Sequence, residues 1–246
     1  MDDIIKTPVV CITGDTHGTH DNLKVFQYAE THRAGDILII AGDFGGVWGN
    51  EGSPSFDEDQ KLLNTYQDLD ITVLFADGNH ENFPELYKYP IVKKFDAPVR
   101  QIRKNVFHLQ RGEVYTINKE KYFIFGGGAS IDKIYRVEHL SWWPEEIPNQ
   151  AEMENALASL DNNNWKVDYV ITHTVPEGVL IKHLLRSFSG KLKLDDPTTN
   201  FLQYIYEKVK FKKWYAGHFH IDKQLSDKLI MTYNDIWEIK EVRETK

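Results

Sequence analysis

The feature that most restricts this chain is a pattern used three times from its start: a short apolar run, a glycine-containing polar loop, then a segment of helical character. The runs are Val9 to Thr13, Ile37 to Ala41 and Ile71 to Ala76. Between them, Asp21 to His32 and Phe56 to Leu69 carry apolar residues at helix-like spacing, which predicts βαβ crossovers and parallel strands. The middle of the chain changes character. Val114 to Ile117 and Tyr122 to Phe125 flank a polar Asn-Lys-Glu-Lys and predict an antiparallel hairpin. Val167 to Thr172 returns to the buried-strand pattern, and Trp214 to Ala216, Lys223 to Ser226, Leu229 to Thr232 and Trp237 to Val242 are further short strands. Helices are expected over Ala151 to Leu160 and over Thr198 to Val209, the latter opened by Asp196-Pro197. Together these predict an α/β fold of two stacked mixed sheets flanked by helices. Residues 1–246 are read as one domain, in which the irregular segment 129–150 is a candidate loop to cap a site.

In α/β sheets, ligands collect where strands end, so the polar residues that follow the apolar runs carry the functional reading. Five such places hold metal-capable groups: GDTHG at 14–18, GDFGG at 42–46, DGNHE at 77–81, Thr172-His173, and GHFH at 217–220. Taken singly, Asp15, Asp43 or His173 is more often a helix cap or a satisfied polar residue, and Asn79 a turn residue. Alternate residues of an extended segment project to one side, so the DxH and HxH pairs can each share a cation. The coincidence of Asp15, His17, Asp43, Asn79, His173, His218 and His220 after predicted strands points to a metal site. Carboxylate, amide and imidazole donors suit Mn, Fe, Zn or Ni better than soft Cu(I). Glycines 14, 42, 78 and 217 flank these residues, where small side chains let the backbone turn close to an ion.

This order of motifs, DxH, GD, GNH with a following acid, a lone His and then GHxH, resembles the calcineurin-like metallophosphoesterase superfamily over residues 14–220. The resemblance implies two divalent ions, with manganese the leading choice, in which Asp15, His17 and His220 bind one, Asn79, His173 and His218 the other, and Asp43 bridges them. It implies hydrolysis of a phosphomonoester or phosphodiester by in-line attack of a bridging hydroxide, with Asp43 and His80 as catalytic residues. His80 is expected to contact the phosphate, alongside Asn79, and to assist the leaving oxygen as an acid or electrostatically. The loop after the GD pair runs Phe44-Gly45-Gly46-Val47-Trp48 and has no arginine, which departs from the GDxxDRG pattern of the protein phosphatases.

The substrate is less constrained. GGGASIDKIYR at 126–136, followed by His139 and Trp142-Trp143, joins a glycine turn to cationic and aromatic groups. Arg136 and His139 are candidate substrate contacts, Arg136 toward phosphate, and an indole could stack on a base. The glycine turn is similar to one in RNA debranching enzymes of the superfamily, so phosphodiesters belong in any screen. The net charge of −8 favours a small molecule or nucleotide over a long nucleic acid, which needs clustered Lys and Arg; a nuclease is the second reading and a non-catalytic scaffold the third. His20, Glu81 and Glu177 are expected to be caps or solvated groups, and His32, His108 and His183 structural. One cysteine, Cys11, excludes an internal disulfide and thiol-rich zinc modules. With no basic leader and no apolar run of about 20 residues, a cytoplasmic protein that does not enter membranes is expected; oligomeric state is not encoded in these features.

Overall fold

The computed structural model describes residues 7–184 and 196–239. Sheet A has seven strands: β1 (Val10–Thr13), β2 (Ile37–Ile40), β3 (Thr72–Phe75), β4 (Ile91–Lys94), β5 (Ala97–Arg103), β6 (Val106–Leu109) and β13 (Trp237–Glu238), in the order β13-β1-β2-β3-β6-β5-β4. Sheet B has six: β7 (Val114–Ile117), β8 (Glu120–Phe125), β9 (Tyr169–Thr172), β10 (Lys213–Ala216), β11 (Lys223–Gln224) and β12 (Leu229–Met231), in the order β11-β12-β10-β9-β8-β7. β1, β2, β3 and β6 run parallel, as do β8, β9, β10 and β12, and the outer strands of each sheet pair antiparallel.

The helices are α1 (Leu23–Thr31), α2 (Pro54–Gln67), α3 (Phe83–Leu86), α4 (Gln150–Asn162), α5 (Glu177–Val179), which continues into a π-type turn, and α6 (Pro197–Lys208). The strands' side chains alternate between two cores. In β2, Ile37 and Ile39 join the core between the sheets while Leu38 and Ile40 face α1 and α2. In β8, Tyr122 and Ile124 point inward while Phe123 and Phe125 pack with Leu160 of α4 and Leu202 of α6. The result is a helix–sheet–sheet–helix stack, the expected class. Burial on both faces explains why the parallel strands appear as continuous apolar runs. Cys11 is buried on the helix side of sheet A. Asp196 caps α6 through Thr198 N (2.8 Å) with Pro197 at its first position, as expected.

Two corrections concern the sheets. The β4–β5–β6 meander, residues 91–109, was not anticipated: Lys93, Lys94, Pro98, Arg100 and Arg103 interrupt β4 and β5, and His108 breaks the short run of β6. The strand expected to reach Val242 extends over Trp237–Glu238, and residues 240–242 lie outside the described residues. Among the described residues no helix is long and apolar enough to cross a membrane.

Candidate metal centre

The loops after β1, β2, β3, β9 and β10 converge on one spot between the two sheets. Asp15, His17 and His220 bring one donor atom each into a common cluster, and Asp43, His173 and His218 do the same. Asp43 lies between them. Its Oδ2 is 3.4 Å from His17 Nε2, and its Oδ1 is 3.3 Å from His173 Nε2. His220 Nε2 is 3.1 Å from Asp15 Oδ2, and Asn79 Oδ1 is 2.9 Å from His173 Nε2. Donors held ~2.0–2.2 Å from one ion stand roughly 2.8–3.6 Å apart, from octahedral to tetrahedral geometry, so these separations suit shared coordination.

Charge supports the same fit. The side chains of Asp15 and Asp43 are buried, and their ion-pair partners are all histidines. Buried carboxylates require compensating positive charge, and two cations would supply it. Within the cluster, burial would lower the His173 pKa, but the Asp43 charge overrides it and pushes it up to about 10. Burial, reinforced by His173, pulls His218 down to about 3. Burial would also raise Asp43, yet the neighbouring histidines hold it well below the carboxylate range.

The ligand orientations are imposed from outside the cluster. His17 Nδ1 meets Asp21 Oδ2 at 2.8 Å, and His173 Nδ1 donates to Ala41 O at 3.0 Å, so each turns its Nε2 inward. Asn79 Nδ2 donates to Ser130 Oγ (3.0 Å), and Ser130 donates to the buried Glu146 (2.7 Å), which directs the amide oxygen to the cluster. His17, Asp43, His218 and His220 all have positive φ, between 44° and 70°. Such strain costs about 1–3 kcal/mol per residue and concentrates at functional sites.

Glycine is required where the loops touch. A Cβ on Gly78 would stand 2.0 Å from Asp43 Oδ1, and one on Gly217 2.3 Å from Asp15 Oδ1. Gly78→Ala is therefore expected to displace the Asp43 carboxylate and lower bound metal below that of the wild type, as measured by plasma mass spectrometry. Metal content equal to wild type would show that the loop yields without disturbing the ligands.

The remaining candidates are placed as follows. His80 N donates to Asp43 Oδ1 (2.8 Å), and His80 Nε2 lies 2.8 Å from Arg136 Nη2. A guanidinium only donates, so His80 Nε2 is the acceptor and its ring proton is on Nδ1. Arg136 is fixed in turn by Asp132 (2.8 Å) and Ser141 O (3.2 Å). His139 sits at the tip of the turn closed by Ser141 N→Val137 O, 63% exposed and beside Glu138. Segment 129–150 thus reaches the site through Ser130 and Arg136. Trp143 is 2% exposed and packs edge-on against Trp48, whose ring stacks over His80 at 6.0 Å.

Other residues were misjudged or missed. Glu81 is neither a cap nor solvated: it is buried, accepts from Phe44 N (2.7 Å) and Gly45 N (3.3 Å), and holds the Asp43 loop. Burial, then the Asp43 and Asp77 charges, push its carboxyl well above the usual range. Asp77 anchors the Asn79 loop to Arg111 Nε (2.7 Å) and His108 Nε2 (3.0 Å). Lys24 donates to Asp15 O (2.7 Å) and Tyr233 O, and burial lowers its ammonium to about 8 against the pull of Asp15. Asp21 had a sequence signal, four residues after His17 at the approach to a helix; Ser130, Glu146 and Trp48 had none. His32 stacks on Tyr28 and is structural, as expected.

Comparison with protein families matches the calcineurin-like phosphoesterase model over residues 8–222. The chain belongs to the calcineurin-like phosphoesterase family. That assignment makes it a metal-dependent phosphoesterase in general, a family implying phosphoester hydrolysis, and agrees with the two-sheet architecture. A search of curated proteins gave no match.

Proposed function

We propose that this calcineurin-like phosphoesterase hydrolyses a phosphomonoester or phosphodiester of a small molecule or nucleotide, using two divalent ions, manganese first among Mn, Fe, Zn and Ni. The observation that carries the reading is the position of Asp43, each carboxylate oxygen facing a separate group of imidazoles. When bound, two ions lower the pKa of water and offset charge on the phosphoryl oxygens. Asp15, His17, Asp43 and His220 would hold one ion, and Asp43, Asn79, His173 and His218 the other.

The chain's own groups then position the ester. Arg136 and His80 line the edge of the cluster, where the guanidinium offers donors suited to phosphate oxygens. Because His80 accepts from Arg136 at Nε2, its contribution is electrostatic and orienting unless the arginine swings to substrate.

The test is a metal-reconstituted screen of p-nitrophenyl phosphate, bis-p-nitrophenyl phosphate, cyclic nucleotides and single-stranded oligonucleotides. Turnover of a small ester is expected, and efficient cleavage of oligonucleotides alone would move the assignment to a nuclease. His80→Ala should lower kcat by about 10²-fold or more with metal content unchanged. Full occupancy of both ions with every ester inert would support a scaffold.

A further inference from the structure

A cavity of about 320 Å³ opens beside His17 and His80, between the β1–α1 loop, the loop after β2 and the start of α2. This is the small end of the ~300–1,000 Å³ typical of ligand sites. Its walls include Trp48, Thr19, His20, Ser55, Glu58 and Asp59, and among the described residues no Lys or Arg lines it. The indole is set in place rather than mobile in a loop: it lies over His80 with centroids 6.0 Å apart and meets Trp143 edge-on at 5.0 Å. Asp59 Oδ2 accepts from Trp48 N (2.7 Å) and Gly49 N (2.6 Å), which fixes the backbone carrying that ring. Glu58, the residue before Asp59 in α2, is exposed and adds a second carboxyl group to the wall.

We propose that this cavity receives the alcohol portion of the ester and selects leaving groups that carry no negative charge, favouring a ring or an ammonium-bearing alcohol over one with a carboxylate or a second phosphate. The inference rests on the proposed hydrolase reading. A phosphate held at the cluster lies next to this cavity, because His17 and His80 border both. There an aromatic face attracts rings and cations, while Glu58 repels anions in a space too small to keep them distant. The same wall disfavours an oligonucleotide, whose next phosphate would meet the Glu58 carboxylate with no Lys or Arg among the described lining residues.

Two phenols of equal size and opposite charge test this: 4-(aminomethyl)phenyl phosphate and 4-carboxyphenyl phosphate, each also as its methyl diester, assayed with the manganese-loaded protein. The ratio of their kcat/KM values is expected to be about tenfold in favour of the ammonium. Glu58→Gln should bring it toward unity, and Glu58→Lys should reverse it. Intrinsic leaving ability cancels when each variant's ratio is compared with that of the wild type, as do losses of folded or metal-loaded protein. A ratio changed less than twofold by Glu58→Lys overturns the proposal. Calorimetric binding of 4-(aminomethyl)benzylphosphonate and 4-carboxybenzylphosphonate reads the same preference without turnover. Charge-selective binding with no hydrolysis would contradict the hydrolase reading alone, whereas hydrolysis with no charge preference would contradict the cavity assignment alone.

Discussion

Asp43→Asn is expected to reduce phosphoester hydrolysis by at least about 10³-fold and to leave no more than one ion per chain. The substitution keeps the side chain's shape and one carbonyl oxygen, so an acceptor for His80 N is retained. It removes the charge and replaces one donor oxygen by an NH₂ group, which cannot ligate. The backbone oxygen of residue 43, which accepts from Thr16 N and His17 N at 2.9 Å each, is untouched, so the loops should keep their positions. Steady-state kinetics and plasma mass spectrometry on the same preparation measure the two effects together. Retention of activity within tenfold and of two ions would show that the shared carboxylate is dispensable.

The second large effect falls on stability. Arg111 and Asp77 form a buried pair: Arg111 donates to Asp77 through Nε and Nη2, to Glu152 at 3.1 Å and to Glu145 O at 2.9 Å. Arg111→Met leaves Asp77 buried with only His108 opposite, and breaking such a pair costs about 3–5 kcal/mol. Urea unfolding at neutral pH measures it. The acid dependence has a definite sign. Burial would raise the Asp77 pKa, but the Arg111 charge and then His108 outweigh it and hold it at about 2. A carboxyl depressed below its unfolded value, ~3.9, contributes stability that is fully present above that value and is lost as pH falls toward 2. In the variant this loss between about pH 4 and pH 2 should shrink, because the folded-state pKa rises. A variant as stable as wild type, with an unchanged acid limb, would refute the role given to the pair.

The parts of the fold legible from the sequence are those whose determinants are local. β1, β2 and β3 lie in the doubly buried centre of a sheet, so each is an uninterrupted apolar run stopped by glycine and a polar loop. Of the meander at 91–109, β4 forms the sheet's outer edge, exposing Ile91 and Lys93, where a strand has no need to be apolar, whereas β6 is buried but only four residues long and broken by His108. The donors also stand at strand ends, and Asp15 and His17 fall in one group as the DxH pair suggested, whereas the left-handed backbone at His218 and His220 sends the HxH pair to separate groups.

What escaped depends on partners distant in sequence. Glu81 is buried because the amides of Phe44 and Gly45, 37 and 36 residues away, replace water around it. Ser130 matters through Asn79, 51 residues off. The candidate indoles were Trp142 and Trp143, yet Trp48 faces the cavity while Trp143 is packed behind it, a choice made by contact between residues 95 positions apart. No local pattern carries such information.

The most direct measurement is anomalous diffraction from crystals grown with manganese. Two peaks are predicted roughly 3.5–4 Å apart, one facing Asp43 Oδ2 with Asp15, His17 and His220, the other facing Oδ1 with Asn79, His173 and His218. A single peak at full occupancy, or peaks that do not share Asp43, would contradict the account.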